Sequence, residues 1–396
     1  MMNSSPHSVA TDWQFPDGVT YLNHGSFGPS PLPVIEARQE WLRQLEANPM
    51  DFFVRRLGSL LEESLSELAK FVGCRGDNLV FVSNSTDAMN VVARDVDLQP
   101  GDEVLLTDHE YGAVVRIFGQ FCSQTGARTV LARLPDPLTS KADIVEAIFE
   151  QVSERTKLLV VSHITSPTAV TLPVREICAR ARERGIMVAV DGPHAPAQID
   201  VQLDELDCDY YCASCHKWLS APFGAGFLYV RSRHKQGLQP NIISWGRSFR
   251  GEEPNWKDEF HWPGTYDPTP FLTVPVAIRF LKEYGLDRFR TETHALAQSA
   301  RVRLLEMTDA APITPDSPDW YGSMVTVPIS VPDEPGFPIQ THSLQRWLQT
   351  EKGIEIPVIR WKDRLFMRVS CHLYNTPADL DLLLASFAEW QQRQAD

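Results

Sequence analysis

Lys217 and Asp191 are the residues whose types and setting promise chemistry. Asp191 ends the apolar, β-branched run 186–190, and the run 210–213 leads to Ser214, His216 and Lys217. Such runs read as buried strands, and in an open α/β sheet chemistry gathers outside the carboxyl ends of the strands. Asp191 and Lys217 are therefore expected side by side although 26 positions separate them. A buried ion pair would satisfy both. A lysine in a partly desolvated pocket, however, has a lowered pKa and a free amine able to form a Schiff base with a carbonyl. A carboxylate in the same crevice suits the protonated nitrogen of a pyridine ring, so the pair points to pyridoxal 5'-phosphate.

Two further stretches offer binding groups. The capping-rich sequence Ser83-Asn-Ser-Thr-Asp follows the apolar strand 79–82 and opens a helix. The free N–H groups and dipole of a helix start attract an anion, which places a phosphate at Ser85 and Thr86. The arm Tyr21-Leu-Asn-His-Gly-Ser-Phe-Gly is too rich in turn residues for a regular element. Asn23 and His24 supply donors to a substrate there, and Gly25 and Gly28 permit close backbone approach.

Asp191-Gly-Pro-His194 and Ser214-Cys-His216-Lys217 resemble the Asp-x-x-His/Gln and Ser-x-His-Lys motifs of the class V aminotransferase family, within the fold type I pyridoxal phosphate enzymes. The arm and Ile354-Glu-Ile-Pro-Val resemble its isopenicillin N epimerase-like branch, and the similarity covers nearly the whole chain. The resemblance implies an α/β fold: a mostly parallel seven-stranded sheet with helices on both faces, plus a smaller α+β domain. Residues 1–34 would form an arm and part of the small domain, 35–273 the cofactor-binding domain and 274–396 the small domain. It also implies roles. Lys217 holds the cofactor and serves as base, Asp191 faces the ring nitrogen, and His194 bonds the phenolic oxygen. Tyr111 covers a ring face, and Ser166 stands where desulfurases place an asparagine for the phenolic oxygen. Ser214 and His216 join Ser85 and Thr86 on the phosphate, while Thr265 reaches across a homodimer to the neighbour's phosphate. Arg368, in an Arg-x-Ser-x-x-x-Tyr-Asn ending, clamps a substrate carboxylate with a planar fork that lysine lacks.

The supporting elements read as alternating strands and helices. Leucines at 57, 60, 61, 65 and 68 make one helical stripe that stops before Gly73. Strands are expected at 102–107 and 157–161, with a crossover helix over 173–184 and a strand over 224–231 that is antiparallel to, or at the edge of, the sheet. The glycines of that strand have no following helix, so nicotinamide binding is discarded. Helices at 276–284, 286–305 and about 344–348, and strands at 325–329, 356–359 and 365–370, compose the small domain.

Composition bounds the rest. A net charge of -14 over 396 residues argues against nucleic acid or an anionic membrane as partner. No stretch is long and apolar enough to span a bilayer, and residues 1–20 lack the pattern of a signal peptide, so a cytoplasmic location is expected. Seven cysteines suit reduced thiols; Cys212-Ala-Ser-Cys215 lacks further ligands for zinc. A cysteine desulfurase needs a thiol shortly before the carboxylate-binding arginine, and residues 353–367 contain no cysteine. The expectation is an enzyme acting at the α-carbon of an amino acid or amino-acid-bearing peptide as an epimerase. A β-eliminating carbon–sulfur lyase, an aminotransferase and a non-catalytic cofactor binder are the alternatives.

Overall fold

The computed structural model describes residues 9–246, 253, 255–331 and 342–395. Residues 1–8, which the reading of the amino terminus includes, lie outside them. Seven strands form the main sheet in the spatial order Leu79–Val82, Gly226–Val230, Tyr210–Ser214, Met187–Asp191, Thr156–Ser162, Glu103–Thr107 and Arg128–Ala132. Gly226–Val230 is antiparallel to both its neighbours and every other adjacent pair is parallel. That strand is therefore interior, and Leu79–Val82 is the edge.

Alternation along the strands divides the core in two. Val80, Val160, Ala189, Cys212 and Leu228 face one layer, with Val92 and Phe118 from the helices Ser85–Asp95 and Gly112–Thr125. Phe81, Val161, Val190, Ala213 and Phe227 face the other, with Leu61 of Leu57–Phe71 and Ile177 of Val174–Glu183. A sheet covered on both faces buries every side chain of its central strands, which is why they read as unbroken apolar runs. Arg128–Ala132 is an edge strand with three exposed residues, and its polar sequence hid it.

A second, antiparallel sheet joins Val358–Trp361, Arg364–Ser370 and Met324–Ile329. The helix Leu286–Thr308 packs against it, and Pro377–Ala395 packs against that helix. The expected strand over 356–359 is broken at Pro357, which has no N–H to give a ladder. Ile354–Glu355 pairs instead with Thr20–Tyr21 of the arm.

The helix expected over 276–284 starts earlier, running Thr269–Tyr284. Pro270 fits its first turn, but Pro275 lies inside and cannot bond to the carbonyl of Phe271. Ser64 Oγ donates to that carbonyl at 2.6 Å, so the orphaned acceptor is satisfied from another helix. The helices Leu32–Ala47, Lys141–Phe149 and Pro377–Ala395 were not anticipated; they fill the outer layers.

Candidate active site

The parallel register brings Asp191 and Lys217 to one end of the sheet. Asp191 is the last residue of Met187–Asp191, and Lys217 lies on the turn just after Tyr210–Ser214. His194 follows Asp191 on the next loop, and its Nε2 is 3.0 Å from Lys217 Nζ. Trp218 Nε1–H donates to His194 Nδ1 at 3.2 Å. A neutral imidazole accepting at Nδ1 carries its proton on Nε2, so the lysine must accept with a lone pair. The geometry therefore requires a neutral amine. Burial holds Lys217 well below the usual lysine range, and the Arg368 charge pushes the same way. Burial also keeps His194 neutral.

Asp191 is buried, and its Oδ1 has no partner among the described residues. Burial raises its pKa, and only a charged Lys217 would oppose this. A buried carboxylate oxygen without a donor is costly. It suits a protonated ring nitrogen.

The helix Ser85–Asp95 supplies an anion-binding end. Asn84 caps it, accepting from Asp87 N–H at 2.9 Å, and Ser85 N–H donates to Ser214 Oγ at 2.9 Å. A Cβ at Gly226 would stand 2.7 Å from Asn84 Cα, so that glycine lets the strand and the cap approach. Thr86 is exposed beside Ser85. His216 lies against Phe223, ring centroids 5.2 Å apart, with its Nδ1 buried and without a partner among the described residues. Burial first, and then the neighbouring Lys217 where it is charged, lower its pKa to about 4.

Arg368 is buried on Arg364–Ser370, and no carboxylate pairs with it among the described residues. One terminal nitrogen donates to Ser166 O at 2.8 Å and Ser166 Oγ at 3.2 Å, the other to Ser26 Oγ at 2.6 Å. Its Nε has no partner among the described residues. Burial lowers its pKa to about 10. A desolvated guanidinium held only by neutral oxygens is a site for an anion. Ser166, expected near the phenolic oxygen, accepts from this arginine through both its carbonyl and its hydroxyl. Ser26 was not singled out; its place after Gly25 was the only signal.

The arm comes into direct contact with the site. A Cβ at Gly25 would lie 2.7 Å from Met324 Sδ and 2.9 Å from Ser370 Oγ. Asn23 bridges to Ser370, and its Oδ1 is buried without a partner among the described residues. His24 does not fit the expectation of a substrate donor. Its ring is fully buried, with Nδ1 2.9 Å from Tyr374 Oη and Nε2 2.9 Å from the carbonyl oxygen of Lys217. Tyr111 precedes the helix Gly112–Thr125 with its side chain 46% exposed, near enough that its charge would bear on Arg368. His109, by contrast, is buried between Thr168 Oγ1 at 2.7 Å and the Trp361 ring. Thr265 is exposed on the loop after Asp258–His261.

Cys371 is buried, and burial pushes its thiol far up, so it offers no thiolate. Cys212 and Cys215 are likewise buried, and no metal-ligating cluster occurs among the described residues. No described helix is long and apolar enough to cross a membrane.

The profile described as Aminotransferase class-V matches residues 20–383. The chain belongs to the class-V aminotransferase family. Pyridoxal 5'-phosphate is its cofactor, and the neutral amine, unpartnered carboxylate and capped helix start fit that group. The isopenicillin N epimerase of Amycolatopsis lactamdurans is 36% identical, over 96% of this chain and 99% of that protein. The L-cysteine desulfhydrase of Arabidopsis thaliana is 27% identical over 94% and 88%. The solved cysteine desulfurase of Thermococcus onnurineus superposes with a TM-score of 0.81 at 22% identity, over 98% of this chain and 99% of that one. That last likeness concerns the fold.

Proposed function

We propose that this class-V enzyme inverts the configuration at the α-carbon of an amino acid or an amino-acid-bearing peptide, as an isopenicillin N epimerase does. The observation that carries the reading is the 36% identity to such an epimerase over nearly the full length of both chains. The site supports it. Arg368 takes the substrate carboxylate, with Asn23 of the arm beside it. Lys217 then takes or returns the α-proton; its amine is already neutral in the bond from His194. When bound, the cofactor supplies an electron sink for the carbanion left by that proton. Asp191 would face its ring nitrogen, His194 its phenolic oxygen and Tyr111 a ring face. Ser85, Thr86, Ser214 and His216 would hold its phosphate. Thr265 of one subunit would serve the other in a homodimer.

Epimerisation also needs a proton delivered to the opposite face, and Tyr111 is the group proposed for it. Persulfide chemistry is disfavoured, because residues 353–367 contain no cysteine and Cys371 is buried.

The test uses the cofactor-loaded protein in heavy water with a panel of L- and D-amino acids and amino-acid-bearing peptides, followed by NMR and chiral chromatography. Deuterium at Cα, inverted configuration and no ammonia are expected. Release of ammonia with loss of the β-substituent would replace the epimerase reading with a lyase, and a keto acid without ammonia would replace it with an aminotransferase.

A further inference from the structure

His109 has no part in the proposed chemistry, yet it is buried between the two segments that hold Arg368. The first is the turn 165–170. Thr165 N–H donates to Val170 O at 2.9 Å across its ends, and Ser166 within it accepts from Arg368 at 2.8 Å through its carbonyl and at 3.2 Å through its hydroxyl. The second is the antiparallel pair Val358–Trp361 and Arg364–Ser370, whose second strand carries Arg368. Trp361 ends that pair opposite Arg364. Its ring lies on His109 with centroids 4.3 Å apart, and its Nε1–H donates to the carbonyl oxygen of Asp108 at 2.9 Å.

The turn needs outside support. Ala169 has a φ of 57°, in the left-handed region that a residue with a Cβ disfavours. Side chains supply the support in one continuous chain. Val170 N–H donates to Thr165 Oγ1 at 2.8 Å, Thr165 Oγ1 and Thr168 Oγ1 are 2.7 Å apart, and Thr168 Oγ1 is 2.7 Å from His109 Nδ1. Thr165, Thr168 and His109 are all buried, where such bonds are stronger than in water.

The direction of the chain follows from its far end. His109 Nε2 has no hydrogen-bond partner among the described residues and stands 3.8 Å from Asp108 Oδ1. A lone pair there would face a carboxylate, whereas an N–H is attracted to it. With the proton on Nε2, Nδ1 accepts. The Thr168 hydroxyl then donates to Nδ1 and accepts from the Thr165 hydroxyl, whose oxygen takes the Val170 N–H. We propose that His109 is a positioning residue for Arg368: through Thr168 and Thr165 it fixes the turn whose Ser166 aims the guanidinium at a substrate carboxylate. Burial holds the His109 pKa below the usual histidine range, opposed by the Asp108 charge, in keeping with a neutral ring.

The inference rests on the proposed role of Arg368 as the carboxylate site. Its test is titration of the cofactor's absorbance with amino acids and with their amides, in His109→Phe, His109→Asn, Thr168→Val and Arg368→Lys. Phe keeps a ring against Trp361 but has no acceptor, and Val keeps the shape of Thr168 but has no hydroxyl. Each should weaken the acids about tenfold, while amide affinity and cofactor content stay within about twofold of wild type. Asn offers a carbonyl oxygen near the place of Nδ1 and should recover most of the loss. The double variant His109→Phe/Thr168→Val should be no weaker than either single one, because both break the same chain.

Equal losses for acids and amides, an Asn variant as weak as Phe, or additive losses in the double variant would mean that His109 only fills space, and would overturn the proposal. If Phe does not fold, Thr168→Val and His109→Asn still decide. Arg368→Lys separates the two readings. Weakened acids in that variant, with none in His109→Phe or Thr168→Val, would sink the role of His109 alone; unchanged acids in Arg368→Lys would remove the carboxylate site and this inference with it.

Discussion

His24 Nε2 lies 2.9 Å from the carbonyl oxygen of Lys217, a hydrogen bond that fastens the amino-terminal arm to the backbone of that lysine. A carbonyl only accepts, so Nε2 carries the proton and Nδ1 accepts from Tyr374 Oη. The ring stacks on His372 at 3.9 Å and 14°. With Ser26 on Arg368, the arm thus touches both the lysine and the arginine of the site.

His24→Ala should destabilise the fold by about 1 to 3 kcal/mol, because it leaves the Tyr374 hydroxyl and the Lys217 carbonyl without a buried partner. Burial lowers the His24 pKa to about 3, with its bond to Lys217 opposing. A depressed pKa contributes stability above the unfolded value near 6.5 that is lost as pH falls toward 3. Urea unfolding from pH 7 to 4 should show a shallower acid loss in the variant than in wild type. Parallel curves would separate His24 from the acid response.

Gly28→Ala should displace the arm. The added Cβ would lie 2.5 Å from both His24 Nε2 and the backbone oxygen of His216, and the backbone oxygen cannot rotate away. A lowered melting temperature together with an altered visible spectrum of the cofactor-loaded protein is expected. An unchanged melting temperature would contradict the packing.

Arg368→Lys should weaken carboxylate ligands about tenfold or more while cofactor content stays constant, since one ammonium cannot span Ser166 and Ser26 and still present a fork. Titrating the cofactor's absorbance with amino acids and their amides measures this. The amides should bind both proteins alike, and equal affinity for the acids would remove Arg368 from the carboxylate site.

In cofactor-free protein, Lys217 should weaken the fold most where it is charged. Its folded pKa lies below the ordinary value near 10.5, so the unfolded chain binds more protons over the alkaline range and stability rises with pH there. Lys217→Met should flatten that rise in urea titrations from pH 7 to 10. With cofactor present, the same variant should lose borohydride-stable attachment by mass spectrometry, and attachment persisting at another lysine would overturn the role of Lys217.

Local chemistry determined much of this protein from the sequence alone. The apolar runs 79–82, 157–161 and 186–190 could only be strands of a doubly covered sheet, and a carboxylate or lysine just past such runs falls at the sheet's working edge. Asp191, Lys217 and the capped start at Ser85 were legible for that reason. The edge strand Arg128–Ala132 and the first two turns of Thr269–Tyr284 were not, because that strand is polar and the gap at Pro275 is filled by Ser64, which is remote in sequence. The tertiary structure alone decided which hydroxyls and rings meet. Ser166 and Ser26 met on Arg368, and His24 met Tyr374 across 350 residues. A side chain's partners depend on which elements pack against its own, and spacing along one chain carries no record of that.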